Sequence, residues 1–104
     1  MEAENKPQES RRFNSNVIFI GEKPFMNYVT SVVMQFTTQN SPEVIIKARG
    51  KFISRAVDVA EVAKNRFLDN TIEIKNISVG SEDFTNKEGK KVRVSFIEIT
   101  LKKK

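Results

Sequence analysis

Between Lys47 and Arg55 the chain carries four cations, Lys47, Arg49, Lys51 and Arg55, and no carboxylate. Lys47 and Arg49 stand two apart in a stretch that reads as a strand, so they share a face. Lys51 and Arg55 stand four apart where the next helix starts, so they share one too. Four positive charges at a strand–helix junction, beside unpaired N-terminal N–H groups of the helix, form a surface suited to phosphate. Gly50, at that junction, lets backbone approach closely. The competing reading is a solvated basic rim. A second cluster, Lys87, Lys90, Lys91 and Arg93, has Glu88 as its only acid and caps a hairpin. Lysines at such tips also serve solubility. A third element, Gly21-Glu22-Lys23-Pro24, opens the first helix; a Gly beside a Lys there can hold an anion, but neither a P-loop nor a GxGxxG pattern is present. Tyr28, one turn on, either reaches a phosphate or caps the core.

Composition narrows what these cations can do. The chain has 104 residues, enough for one domain, with 18 Lys plus Arg against 13 Asp plus Glu and a net charge of +5. It contains no Cys, His or Trp. That removes Cys/His metal sites, disulfides, thiol nucleophiles and His-based acid–base catalysis. Asp58 and Glu61 share a helical face, but Arg55 and Lys64 flank them as ordinary salt-bridge partners. No catalytic residue, metal or cofactor is therefore expected. The longest apolar run, Val17 to Ile20, is far short of the roughly 20 residues that span a bilayer, and Met1 to Ser15 has no apolar stretch of the kind that directs secretion. The expectation is a cytoplasmic protein with no membrane partner.

Residues 1–15 read as a flexible tail, neutral because Glu2, Glu4 and Glu9 balance Lys6, Arg11 and Arg12. The whole positive charge then belongs to a domain over 16–104. Val17 to Ile20 and Val44 to Ile46 read as short strands buried on both faces. Between them Phe25, Val29, Val32, Val33 and Phe36 form one helical stripe, opened by Pro24. Ile53, Ala56, Val57, Ala60, Ala63 and Phe67 form a second. Phe19, Phe25, Phe36 and Phe96 are assigned to the core, Phe67 to core or a subunit contact, and Phe52 and Phe84 to the surface. Ile72 and Ile74 alternate on one phase, Ile77 and Val79 on the other, so a β-bulge is expected at Lys75-Asn76. Val92, Val94 and Phe96 switch phase to Ile97, Ile99 and Leu101 on the return strand. A turn centred between Lys87 and Glu88 would set Ile77 near Glu98 and Val79 near Phe96. The outer hairpin, Ser78 to Ser95, then forms an arm of roughly 25 Å at about 3.3 Å per residue. Such an arm cannot bury itself and requires a subunit or a nucleic-acid groove.

Two segments, Gly21-Glu22-Lys23-Pro24-Phe25-Met26-Asn27-Tyr28-Val29 and Ile46-Lys47-Ala48-Arg49-Gly50, resemble the Alba family of archaeal chromatin proteins, and similarity continues from about Asn16 to Lys102. The resemblance implies an α+β fold, a βαβαββ two-layer sandwich like the C-terminal domain of translation initiation factor three, with a long protruding hairpin. It implies a homodimer, or a heterodimer with a paralogue, that coats and compacts double-stranded DNA with little sequence preference and also binds RNA. Carried over by position, Lys23, Tyr28, Arg49, Lys51 and Arg55 are body contacts, Lys90, Lys91 and Arg93 are arm contacts, and Phe67 joins dimers along DNA. The chain departs from the family at Glu22, where a regulatory lysine is usual, which implies weaker DNA binding, or a shift toward RNA or a mixed dimer. A ribonucleoprotein subunit of the ribonuclease P type is the alternative function, and a nuclease is a more distant one.

Overall fold

The computed structural model describes residues 16–104, so the tail expected over 1–15 lies outside the described residues. The elements run β1 (Val17–Phe19), α1 (Phe25–Thr37), β2 (Glu43–Arg49), α2 (Ile53–Val62), β3 (Ile72–Thr85) and β4 (Lys91–Lys103). This is the expected βαβαββ order. The sheet order is β1-β2-β4-β3, with β1 and β2 parallel and the other neighbours antiparallel.

Both helices lie on one face of the sheet, and period-two alternation sorts the strands around them. In β2, Val44, Ile46 and Ala48 are buried while Glu43, Ile45, Lys47 and Arg49 turn the other way. Their partners in β4 are Leu101, Ile99 and Ile97, also buried. From α1 come Val29, Val32 and Phe36, and from α2 Ala56, Val59 and Ala60. Each fully buried Val, Ile or Leu contributes roughly 1.5–3 kcal/mol, which makes this layer the main source of stability. The expectation that β1 and β2 are buried on both faces is corrected. One sheet face meets the helices and the other is open. Phe19, 65% exposed, and the half-buried Phe96 belong to that open face and not to the core. Phe36 is core and Phe25 packs against it; Phe52, expected at the surface, also packs against the core.

Three local features decide where other side chains point. The end of α2 opens into a π-helical turn over Ala63–Phe67, with the Leu68 N–H donating to the Ala63 carbonyl at 3.0 Å. The wider turn brings Leu68 into the core five residues after Ala63 and leaves Phe67 51% exposed. Val57, expected on the buried stripe, is 41% exposed, and Val59 takes its place. In the hairpin the register shifts between Ile74 and Asn76, the expected bulge. That extra residue keeps Ile77 and Val79 on the helix side of the sheet, opposite Ile99 and Ile97. The predicted pairing of Ile77 with Glu98 and Val79 with Phe96 is therefore one residue out. The expected second phase shift is absent, because β4 contributes no extra residue to its pairing with either β2 or β3. The cause of the one-residue slip is the turn. Asn86 accepts from the Gly89 N–H at 3.0 Å and Gly89 has φ 81, a type I turn followed by a left-handed residue that adds one position to the loop.

Candidate nucleic-acid interface

The cations of the Lys47–Arg55 segment divide between two surfaces. Lys47 and Arg49 share the open sheet face, as period two requires. Each stands beside a glutamate: Lys47 Nζ is 3.3 Å from Glu98 and Arg49 Nε 3.6 Å from Glu82. The Arg49 guanidinium also lies 4.8 Å from the Phe84 ring centroid. Phe84, expected at the surface, is half-buried beneath it. Arg49 is thus held between one carboxylate and one ring on the arm while it remains exposed.

Lys51 and Arg55 meet the other loop. Gly50, with φ 54, turns the chain out of β2 through a short 3-10 segment, Gly50–Phe52. This brings Lys51 Nζ to 3.9 Å from Glu22. Arg55 donates to the Gly21 carbonyl at 3.0 Å and to the Lys23 carbonyl at 2.9 Å. The Tyr28 hydroxyl accepts from the N–H groups of Gly21 and Lys23, both at 3.0 Å, and the residue is 7% exposed. Arg55 and Tyr28 therefore tie the backbone of Gly21 and Lys23 with four hydrogen bonds. Their polar atoms fix the loop; Lys23 and Lys51 are the charges it presents. Tyr28 resolves toward the core-capping reading.

The arm holds the remaining candidates. Beyond the Arg49–Phe96 pair, β3 and β4 pair only with each other, down to Thr85 and Lys91. Asn86 organises the tip: its side-chain oxygen accepts from the N–H groups of Glu88 and Lys90 at 2.9 and 3.0 Å. Lys87, Lys90 and Lys91 are exposed there and make no ion pair among the described residues. Arg93 is 3.0 Å from Asp83, its cross-strand partner. Away from both surfaces, Glu61 pairs with Lys64 at 3.4 Å, an ordinary helical ion pair. No helix among the described residues is long and apolar enough to cross a membrane.

The sequence gives no hint of a hollow on the open face between Phe19, Phe96 and the two ion pairs. Phe19 hides within a continuous apolar run, and its alternation with Ile18 and Ile20 becomes informative only once the sheet is known to have a single covered face.

Comparison with known proteins supplies the context for these surfaces. The family model described as Alba matches residues 16–81. A protein of Methanocella arvoryzae named DNA/RNA-binding protein Alba is 52% identical over 88 residues, 85% of this chain and 90% of that relative. Its namesake from Methanococcus maripaludis is 48% identical over 86 residues, 83% and 96% of the two chains. The solved structure of Alba from Thermoplasma volcanium superposes with a TM-score of 0.77 at 46% identity, covering 84% of this chain and 99% of the other. ALBA1 from Trypanosoma brucei, 22% identical with a TM-score of 0.67 over 86% of this chain and 69% of its own, shares the fold.

Proposed function

Because the chain belongs to the Alba family, we propose that it binds double-stranded DNA with little sequence preference, coats and compacts it on the chromosome, and also takes RNA. The observation that carries this reading is the pairing of two exposed cationic surfaces. One is the loop junction of Lys23 and Lys51, with Arg49 exposed on the neighbouring sheet face two residues before Lys51; the other is the arm tip of Lys87, Lys90 and Lys91. Surfaces of this kind neutralise phosphates and release counterions, which supplies affinity without reading bases. Binding requires no covalent step, and the chain has no His or Cys to run one.

Two copies are needed to bring arms and bodies to one duplex. The surface for the second copy is the helix side of the edge strand. There Ile77 is 51% exposed and Val79 71%, with Ile74 at 37% further along the strand. Apolar side chains in water on a long edge strand invite a partner. Phe67, turned outward by the π-helical turn, is the ring through which neighbouring dimers touch along DNA.

Arg49→Ala tests the mechanism. It is expected to weaken binding about tenfold, equally on A·T-rich and G·C-rich duplexes, in fluorescence anisotropy at fixed salt. A loss confined to one sequence would contradict phosphate positioning. Glu22 bears on ligand choice, because its carboxylate stands beside Lys51 in the loop that faces phosphate. Glu22→Lys removes a repulsion and adds a cation in each copy. Duplex affinity should rise about tenfold near 100 mM salt, with a steeper salt dependence. Comparing duplex DNA with structured RNA in the same titration shows which ligand the native glutamate favours; unchanged affinity for both would place the loop outside the interface.

A further inference from the structure

The open face of the sheet carries aromatic rings and carboxylates that phosphate binding does not use. Phe19, Lys47 and Glu98 form one row across β1, β2 and β4, and Arg49 and Phe96 form part of the next. Gly80 pairs with Phe96, and any Cβ at Gly80 would fall 2.6 Å from the ring, so the missing side chain makes room for it. Phe19 and Phe96 lie two strands apart, about 10 Å at the usual strand spacing. Between them is a hollow of about 390 Å³. That is the size of site a small planar molecule occupies.

The chemistry of its walls selects the ligand. Lys47 and Arg49 are balanced by Glu98 and Glu82 at 3.3 and 3.6 Å. The hollow is near neutral, so it offers a phosphate little and an uncharged ring a great deal. Phe19 presents an exposed aromatic face with the Lys47 ammonium 5.8 Å from its centroid. The glutamates add acceptors to the wall. Acceptors beside an aromatic face suit a base whose edge donates N–H groups, and guanine, with N1–H and an amino group side by side, fits a carboxylate best. Bases inside a duplex are stacked and out of reach, so the ligand must be unpaired. Exposed Lys51, which follows Arg49 around the Gly50 turn, and the loop cations then meet the flanking phosphates.

We infer that the open sheet face holds one unpaired nucleobase, stacked on Phe19 with its N–H edge toward Glu98 or Glu82, in a base site that adjoins the duplex-binding cations and that duplex binding leaves empty. The site rests on the nucleic-acid reading above and extends it to single-stranded RNA.

The test uses the full chain with three probes at one salt concentration: an oligouridine 12-mer with one central guanosine, a 12-mer abasic at every position, and a 20-base-pair DNA duplex. Stacking on one ring is worth enough that Phe19→Ala should lose about tenfold on the guanosine 12-mer. It should change less than twofold on the abasic 12-mer and the duplex, and Phe19→Tyr should bind all three as wild type does. Phe19 is mostly exposed, so these variants leave the core intact. An equal loss on the duplex, or no loss anywhere, overturns the site; the latter is also what a protein partner on this face would give. Wild type that binds the duplex but treats the two 12-mers alike overturns the site and leaves the duplex reading standing, whereas failure to bind any probe removes both.

Discussion

Ile77→Asp is expected to convert the proposed dimer to monomers and to lower duplex affinity about a hundredfold. Ile77 lies on the edge strand, opposite Ile99, and is 51% exposed, while Ile99 beneath the helices is 2% exposed. The helix layer covers Ile72 at the start of this strand and leaves Ile77 and Val79 open. An aspartate there costs the single subunit little, because surface substitutions usually change stability by less than about 0.5 kcal/mol. In a dimer the same carboxylate would enter an apolar contact in two copies at once, without a partner, and buried unpaired charge is strongly unfavourable. Affinity falls because joining two binding surfaces raises avidity by roughly 10² to 10⁴ over one. Sedimentation should report a monomer, the far-ultraviolet circular dichroism should keep its α+β shape, and each monomer should still bind weakly through one body and one arm. A variant that stays dimeric, or a monomer that binds as tightly as wild type, would move the subunit contact elsewhere.

Much of this arrangement is legible in the residues alone. Alternation placed Lys47 and Arg49 on one face, and the phase switch from Ile74 to Ile77 marked the bulge that keeps Ile77 and Val79 on the helix side of the edge strand. What escaped has identifiable causes. Phe67 could not be assigned because a 3.6-residue period carries it onto the Ala56–Ala63 stripe, and a single π-helical turn moves it off. Hairpin pairing slipped by one residue because Gly89 adds a left-handed position that a symmetric turn lacks. Val17 to Ile20 looked like a strand with two buried faces because nothing in four apolar residues says how many helical layers cover a sheet. The roles of Arg55 and Tyr28 were hidden for another reason. The carbonyl that Arg55 meets at Gly21 is 34 residues away, so the same side chain reads as a free cation until the two loops are seen together. Residue type announced the charge; only the fold showed that Arg55 holds the loop while Lys23 and Lys51 stay exposed.

Paired copies that neutralise phosphates from their loop junctions and arm tips must release counterions, and the salt dependence of binding reads that release. Lys23, Lys51 and Arg49 with the arm lysines supply more cations than a duplex need engage, and about three engaged per copy gives about six phosphates for the dimer. Log affinity against log salt should then fall with a slope near −5, a loss of about a thousandfold between 50 and 200 mM. Such a titration on a 20-base-pair duplex reads the number of displaced counterions without assuming which residues displace them. A slope near −5 is the predicted result; affinity that stays nearly constant across that range would contradict it.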